Sequence, residues 1–169
     1  MTHRALVLVA SLPALVACRG PSTTSPSAAP DVTHAAPAVV FPHRPERCDY
    51  ETVPPHAGHL RVTPHAEGRA DSPAVKNLHL TFVGDPRTSI VVQWSTDAAT
   101  LASAVTVRDA RGSDAPRRVE GYSFPLLGEG GRRQHEVHVC GLEPGTRYEY
   151  AVLSGRGPAV AHHVVTAPQ

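Results

Sequence analysis

The sequence predicts an all-β domain, a sandwich of two sheets and about seven short strands, preceded by a leader and a linker. Three observations predict it. Beyond Val75, apolar residues alternate with polar ones in run after run, the period of a strand with one buried face. Turn residues punctuate those runs, with 17 prolines and 13 glycines among 169 residues. After the leader, no apolar pattern at helical spacing is sustained.

Arg4 supplies positive charge, Ala5 to Val16 form a short apolar stretch, and Leu15-Val16-Ala17-Cys18 closes it. This resembles a bacterial lipoprotein signal with its lipobox. The resemblance implies removal of residues 1–17, lipidation of Cys18, export, and attachment to a membrane of the cell envelope through acyl chains. The alternative is an ordinary signal peptide with a chance cysteine. Residues 18–47 are rich in Pro, Ser, Thr and Ala, too poor in apolar surface to offset the entropy of ordering, and read as a disordered tether.

With Cys18 lipidated, Cys48 and Cys140 remain in an oxidising compartment, where a disulfide between them is the simplest outcome and two free thiols the alternative. Residues 48–73 form an irregular extension in which Asp49–Val53 and His59–Thr63 are candidate short strands on either side of a Pro54-Pro55 loop.

From residue 74 to 169 the pattern is that of a sandwich. Leu78, Leu80 and Phe82 define the inner face of a first strand; Ile90, Val92 and Trp94 that of a second, after the turn Gly84–Thr88. Val105 and Val107 mark a third strand, Val119–Tyr122 a weak fourth, Val137 and Val139 a fifth, Tyr148, Tyr150 and Val152 a sixth, and Val160–Thr166 a seventh. Leu78, Leu80, Phe82, Ile90, Val92, Trp94, Val137, Val139 and Tyr150 are the candidate core. Between the fifth and sixth, Leu142, Pro144 and Gly145 make a corner, and Tyr148 stands where a hydroxyl can return to the backbone upstream, as in the tyrosine corner of immunoglobulin-like sandwiches.

The run Gly141–Tyr148 resembles the corner of fibronectin type III domains, and more closely that of the purple acid phosphatase N-terminal domain. Val91-Val92-Gln93-Trp94-Ser95-Thr96-Asp97 is similar to the second strand of that domain, and Val164-Val165-Thr166-Ala167-Pro168 to its last strand and exit. The resemblance covers about residues 74–169 and implies a non-catalytic accessory domain of a metallophosphoesterase, with a metallophosphoesterase domain as partner. In that family the catalytic domain binds two metal ions. The Gly-Asp-x-Gly, Gly-Asn-His and Gly-His-x-His blocks that hold them are missing from these residues, so no catalytic residue, metal ligand or cofactor is assigned here and the chain alone is expected to be inactive as a phosphatase. The alternative is a free-standing fibronectin type III-like binding module of the cell envelope.

Other candidates have plainer readings. Asp85 follows a strand as a metal-binding aspartate would, but Pro86 comes next and a strand restarts by Ile90, which favours a turn. His56, His59, His65, His162 and His163 invite a metal, yet His162 and His163 point to opposite faces of a strand, and solvated histidines are favoured. Gly128–Gly131 lacks the Lys-Ser/Thr and helix of a phosphate cradle, leaving a loop whose Arg132 and Arg133 face a partner domain or an anion as the alternative. A formal net charge of +1 gives no basis for nucleic-acid binding. No Gly-x-Ser-x-Gly elbow supports a serine hydrolase.

Overall fold

A computed structural model describes residues 39–53, 62–66, 75–126, 131–154 and 159–169, and every regular element among them is a strand. In chain order these are β1 (Thr63–Pro64), β2 (Lys76–Thr81), β3 (Ser89–Asp97), β4 (Ala104–Asp109), β5 (Arg117–Glu120), β6 (Tyr122–Pro125), β7 (Arg132–Cys140), β8 (Arg147–Leu153) and β9 (Ala161–Val165). They form a five-stranded sheet in the order β1-β6-β7-β3-β2 and a four-stranded sheet in the order β5-β4-β8-β9. All pairings are antiparallel. The leader with Cys18, and also His56 and His59, lie outside the described residues.

The two sheets meet through the residues that alternation points inward. Ile90, Val92 and Trp94 of β3 and Val137 and Val139 of β7 pack against Val105, Val107, Val119, Tyr150 and Val152 of the other sheet, with Leu142 and Tyr148 closing one end. Each such side chain contributes roughly 1.5–3 kcal/mol by leaving water. Leu78 and Leu80 lie half-buried against this core, as edge-strand residues do. Phe82 departs from expectation: it is 56% exposed. The β2–β3 ladder ends at the pair Thr81↔Val91, so Phe82 has already left the sheet when its turn to face inward comes.

The weak fourth strand is two strands. Val119 of β5 packs in the four-stranded sheet and Tyr122 of β6 pairs with Glu136 in the other, so the chain changes sheets between them, at Gly121. A Cβ there would stand 2.1 Å from the Glu136 carbonyl oxygen, which only glycine avoids. Gly121 N–H donates to Ser103 O and its carbonyl accepts from His65 N–H, so both backbone groups stay paired through the crossing.

A third layer lies on the outside of the five-stranded sheet. Residues 39–47 were expected within the tether, yet among the described residues Val39 and Phe41 pack on Val62, Tyr122 and Phe124 as a second apolar cluster. Phe41 meets Tyr122 edge-on, with centroids 5.8 Å apart. The segment folds back on itself where His43 and Thr52 exchange backbone hydrogen bonds of 3.1 and 2.7 Å. It is fixed covalently by the Cys48–Cys140 disulfide, whose Cα atoms are 5.2 Å apart. Residues 39–53 thus form a strap, and its burial of apolar rings explains why this stretch is ordered despite a tether-like composition. Of the two short strands expected in the extension, only the Thr52 bridge and β1 are found among the described residues.

Candidate functional site

The polar groups that alternation sends to the outer face of β3 and β7 meet beneath the strap. Glu136 and His138 are two residues apart on β7 and therefore share that face, opposite Val137 and Val139. Glu136 Oε1 accepts from Tyr122 Oη at 2.5 Å and lies 2.7 Å from His138 Nε2, while Oε2 accepts from Gln93 Nε2 at 2.7 Å. The strap supplies Tyr50, whose hydroxyl is 2.8 Å from His138 Nδ1 and 3.7 Å from Cys140 Sγ. At the open side His79 Nε2 is 2.9 Å from Gln93 Oε1.

Carboxylate, imidazole and hydroxyl in series are the parts of a nucleophile-activating relay, but the electrostatics here run the other way. Burial, then the Glu136 and Asp49 charges, push the Tyr50 hydroxyl up to about 12. Burial and Glu136 likewise raise Tyr122. A nucleophile or general base at neutral pH needs its pKa brought toward 7. Burial alone would raise Glu136, but hydrogen bonds from His138, Tyr122 and Gln93 outweigh it and hold the carboxylate below its ordinary value. The cluster is an ionised carboxylate saturated by donors, and its effect is to fasten the strap to the sheet.

The same saturation bears on metal chemistry. Both nitrogens of His138 have partners, and each oxygen of Glu136 already accepts at least one hydrogen bond. Among the described residues, no group of three or more His, Cys, Asp or Glu side chains is placed to hold one. The described residues offer no ligand set for the two-metal centre of a metallophosphoesterase.

A second buried histidine sits in the interior proper. His135 lies between Ser103 Oγ at 2.9 Å from Nδ1 and Thr96 Oγ1 at 2.7 Å from Nε2, stacked on the Trp94 ring. Burial first, then Arg133, lowers its pKa to about 4 against a smaller opposing pull from Asp97, so the ring is neutral.

The remaining candidates resolve into structure. Asp85 stays in the β2–β3 turn, accepting from the Arg87 backbone N–H and from both Nε, which is shared between its two oxygens, and Nη2 of the guanidinium, and these bonds hold its carboxyl below the usual range. Arg133 donates to Ser123 Oγ and Thr63 Oγ1, and Arg132 to Ser95 Oγ, stitching strands together. His65 Nδ1 accepts from Ser103 N–H at 2.9 Å. His162 leans on the Tyr150 ring while His163 stays exposed, on opposite faces of β9. At the corner, the Tyr148 hydroxyl accepts from Glu143 N–H at 2.9 Å, five residues upstream, and Gly145 turns the chain at φ 63°. The outer-face cluster escaped sequence reading because Glu136 and His138 look like ordinary solvent-facing positions of an amphipathic strand. The one available signal was Cys140, two residues further on that face, calling for Cys48 and bringing Tyr50 with it.

The family model described as the purple acid phosphatase N-terminal domain matches residues 75–166. No curated protein matches the chain.

Proposed function

The chain belongs to the purple acid phosphatase N-terminal domain family, and from that premise we propose that it is the non-catalytic accessory sandwich of a metallophosphoesterase, exported and held at a membrane through Cys18. The match over residues 75–166, which spans β2 to β9, carries this reading. The Glu136–His138 cluster is in keeping with it, because among the described residues its hydrogen bonds fasten strap to sheet and its Tyr50 hydroxyl is pushed away from a neutral pKa. Phosphoester hydrolysis then belongs to a separate metal-bearing domain, which this sandwich accompanies. Cys18 supplies the anchor and the Pro-rich stretch after it the reach.

The experiment has two arms. Cells expressing the chain are fed a radiolabelled fatty acid; label is expected on the wild type and lost in Cys18→Ser, and label retained in the variant removes the anchor. The purified chain is assayed on a generic aryl phosphate with iron, zinc or manganese added. No turnover above background is expected, and turnover that survives repurification sinks the accessory reading.

A further inference from the structure

Each sheet of the sandwich has two edges, and three of the four carry devices that stop another strand from adding. β1 is two residues long and ends in Pro64, which has no N–H to offer. β2 opens with Lys76 and is broken by a register irregularity between Lys76 and His79, with Asn77 at φ 53°. β5 places Arg117, Arg118 and Glu120 in a strand of four residues. The fourth edge, β9, has none of these. Its sequence Ala161-His162-His163-Val164-Val165 contains no proline and no Asp, Glu, Lys or Arg, its register with β8 is unbroken, and Val160 and Val165 are 68% and 62% exposed.

Backbone direction on this edge follows from its neighbours. Thr166 N–H donates to Thr146 O, just past the last β8–β9 pair, while Ala110 N–H donates to Arg147 O on the other side of β8. Alternation from either bond gives the same answer. His162 and Val164 exchange hydrogen bonds with β8, and the N–H and C=O groups of Ala161, His163 and Val165 point away from the sheet. Among the described residues, β9 has β8 alone as a ladder partner.

We propose that the β9 edge pairs antiparallel with the β9 edge of a second copy of this chain, about a two-fold axis at His163. That register sets Ala161 opposite Val165 of the second copy, and His163 opposite its own counterpart, each pair exchanging two outward-pointing backbone hydrogen bonds. On the outer face it builds the row Glu149, His163, His163 and Glu149, because Glu149 is the β8 partner of His163. A carboxylate therefore flanks the two imidazoles at each end, and Arg108 holds each carboxylate in place at 2.8 Å. Apolar faces apolar at Ala161 and Val165. An edge of five residues buries less surface than the roughly 1,200–2,000 Å² of a stable dimer, so the association is weak and concentration-dependent.

The test is sedimentation velocity of the full chain from about 10 μM to about 1 mM, a range suited to weak association. The expected result is a shift toward twice the monomer mass with rising concentration. Two variants accompany it. His163→Pro removes an N–H that points away from β8 and so spares the β8–β9 ladder, and Val165→Lys adds the charge that the other edges carry. Both are expected to stay monomeric with melting temperatures within a few degrees of wild type; should His163→Pro fail to fold, Val165→Lys alone decides. A wild type that remains monomeric throughout, association that both folded variants share, or open-ended growth beyond two copies each overturns the proposal.

Discussion

His135 lies flat against Trp94 in the centre of the sandwich, with ring centroids 5.0 Å apart and planes 5° from parallel. Its neutral form completes the core: it hydrogen-bonds on both nitrogens and carries no charge into a site with no water contact. Protonation breaks that arrangement.

The folded pKa of His135 is lowered to about 4 from 6.5, so between these values the unfolded chain binds a proton that the native chain does not. Stability therefore rises with pH across that window. Acidification from about pH 6.5 to about pH 4 is expected to remove on the order of 3 kcal/mol, at about 1.4 kcal/mol per unit. His43, also lowered by burial and then by His138, adds in the same direction. Urea midpoints of wild type and His135→Gln measured at about pH 7 and about pH 4.5 check this. The acid loss should be smaller in the variant, and equal losses in both would mean that His135 is not the titrating group.

Replacing Cys48 and Cys140 together by alanine opens a loop with a sequence separation of 92 residues. The chain-entropy model gives a loss of about 4–5 kcal/mol. Beyond the lower melting temperature, the His43 and Thr52 amides, which pair only with each other, should lose hydrogen-exchange protection well before those of β3 and β7. Protection that persists at His43 and Thr52 would show that the strap holds without its covalent tie.

Gly121→Ala forces a Cβ against the Glu136 carbonyl at the point where the chain crosses between sheets, and the obstacle is backbone that cannot swing aside. The expected cost is on the order of 3 kcal/mol or more, since β6 and β7 must separate to admit the methyl group. A thermal melt within a degree or two of wild type would contradict the crossing geometry.

Tyr148→Phe keeps the ring in the core and deletes the acceptor for Glu143 N–H. The expected loss is about 1 kcal/mol, read as a lower urea midpoint at unchanged slope. Glu136→Gln should cost more, about 1–3 kcal/mol, because Tyr122 and His138 lose a charged acceptor at once. If Tyr148→Phe proved the more damaging of the two, the outer cluster would be less important to the fold than its geometry indicates.

The sandwich itself was legible in the sequence for a physical reason. Ile90, Val92 and Trp94, or Tyr148, Tyr150 and Val152, each face one interior, and period two records that directly. On β3 the alternation no longer separates a buried face from an exposed one. Val91, on its opposite face, is buried as completely as Val92, because a covering layer comes from residues far away in sequence. Nothing local to Val39–Val53 announces that layer: its contacts are single side chains such as Phe41 and Tyr50, each meeting a partner on a distant strand. The sheet crossing had a local signal, an isolated glycine inside a strand pattern, which marks a break or close backbone approach. Phe82 kept the right parity and failed only because its ladder ended one residue earlier.

The family match begins at residue 75, whereas the strap that covers Val62, Tyr122 and Phe124 begins by Val39. The stretch recognisable by descent is therefore shorter than the stretch that folds. A recombinant fragment cut at the match boundary would place Tyr122 and Phe124 in water and leave Cys140 as a lone reactive thiol, open to cross-linking and precipitation. For expression, crystallisation or grafting, the practical boundary of this module lies upstream of Val39.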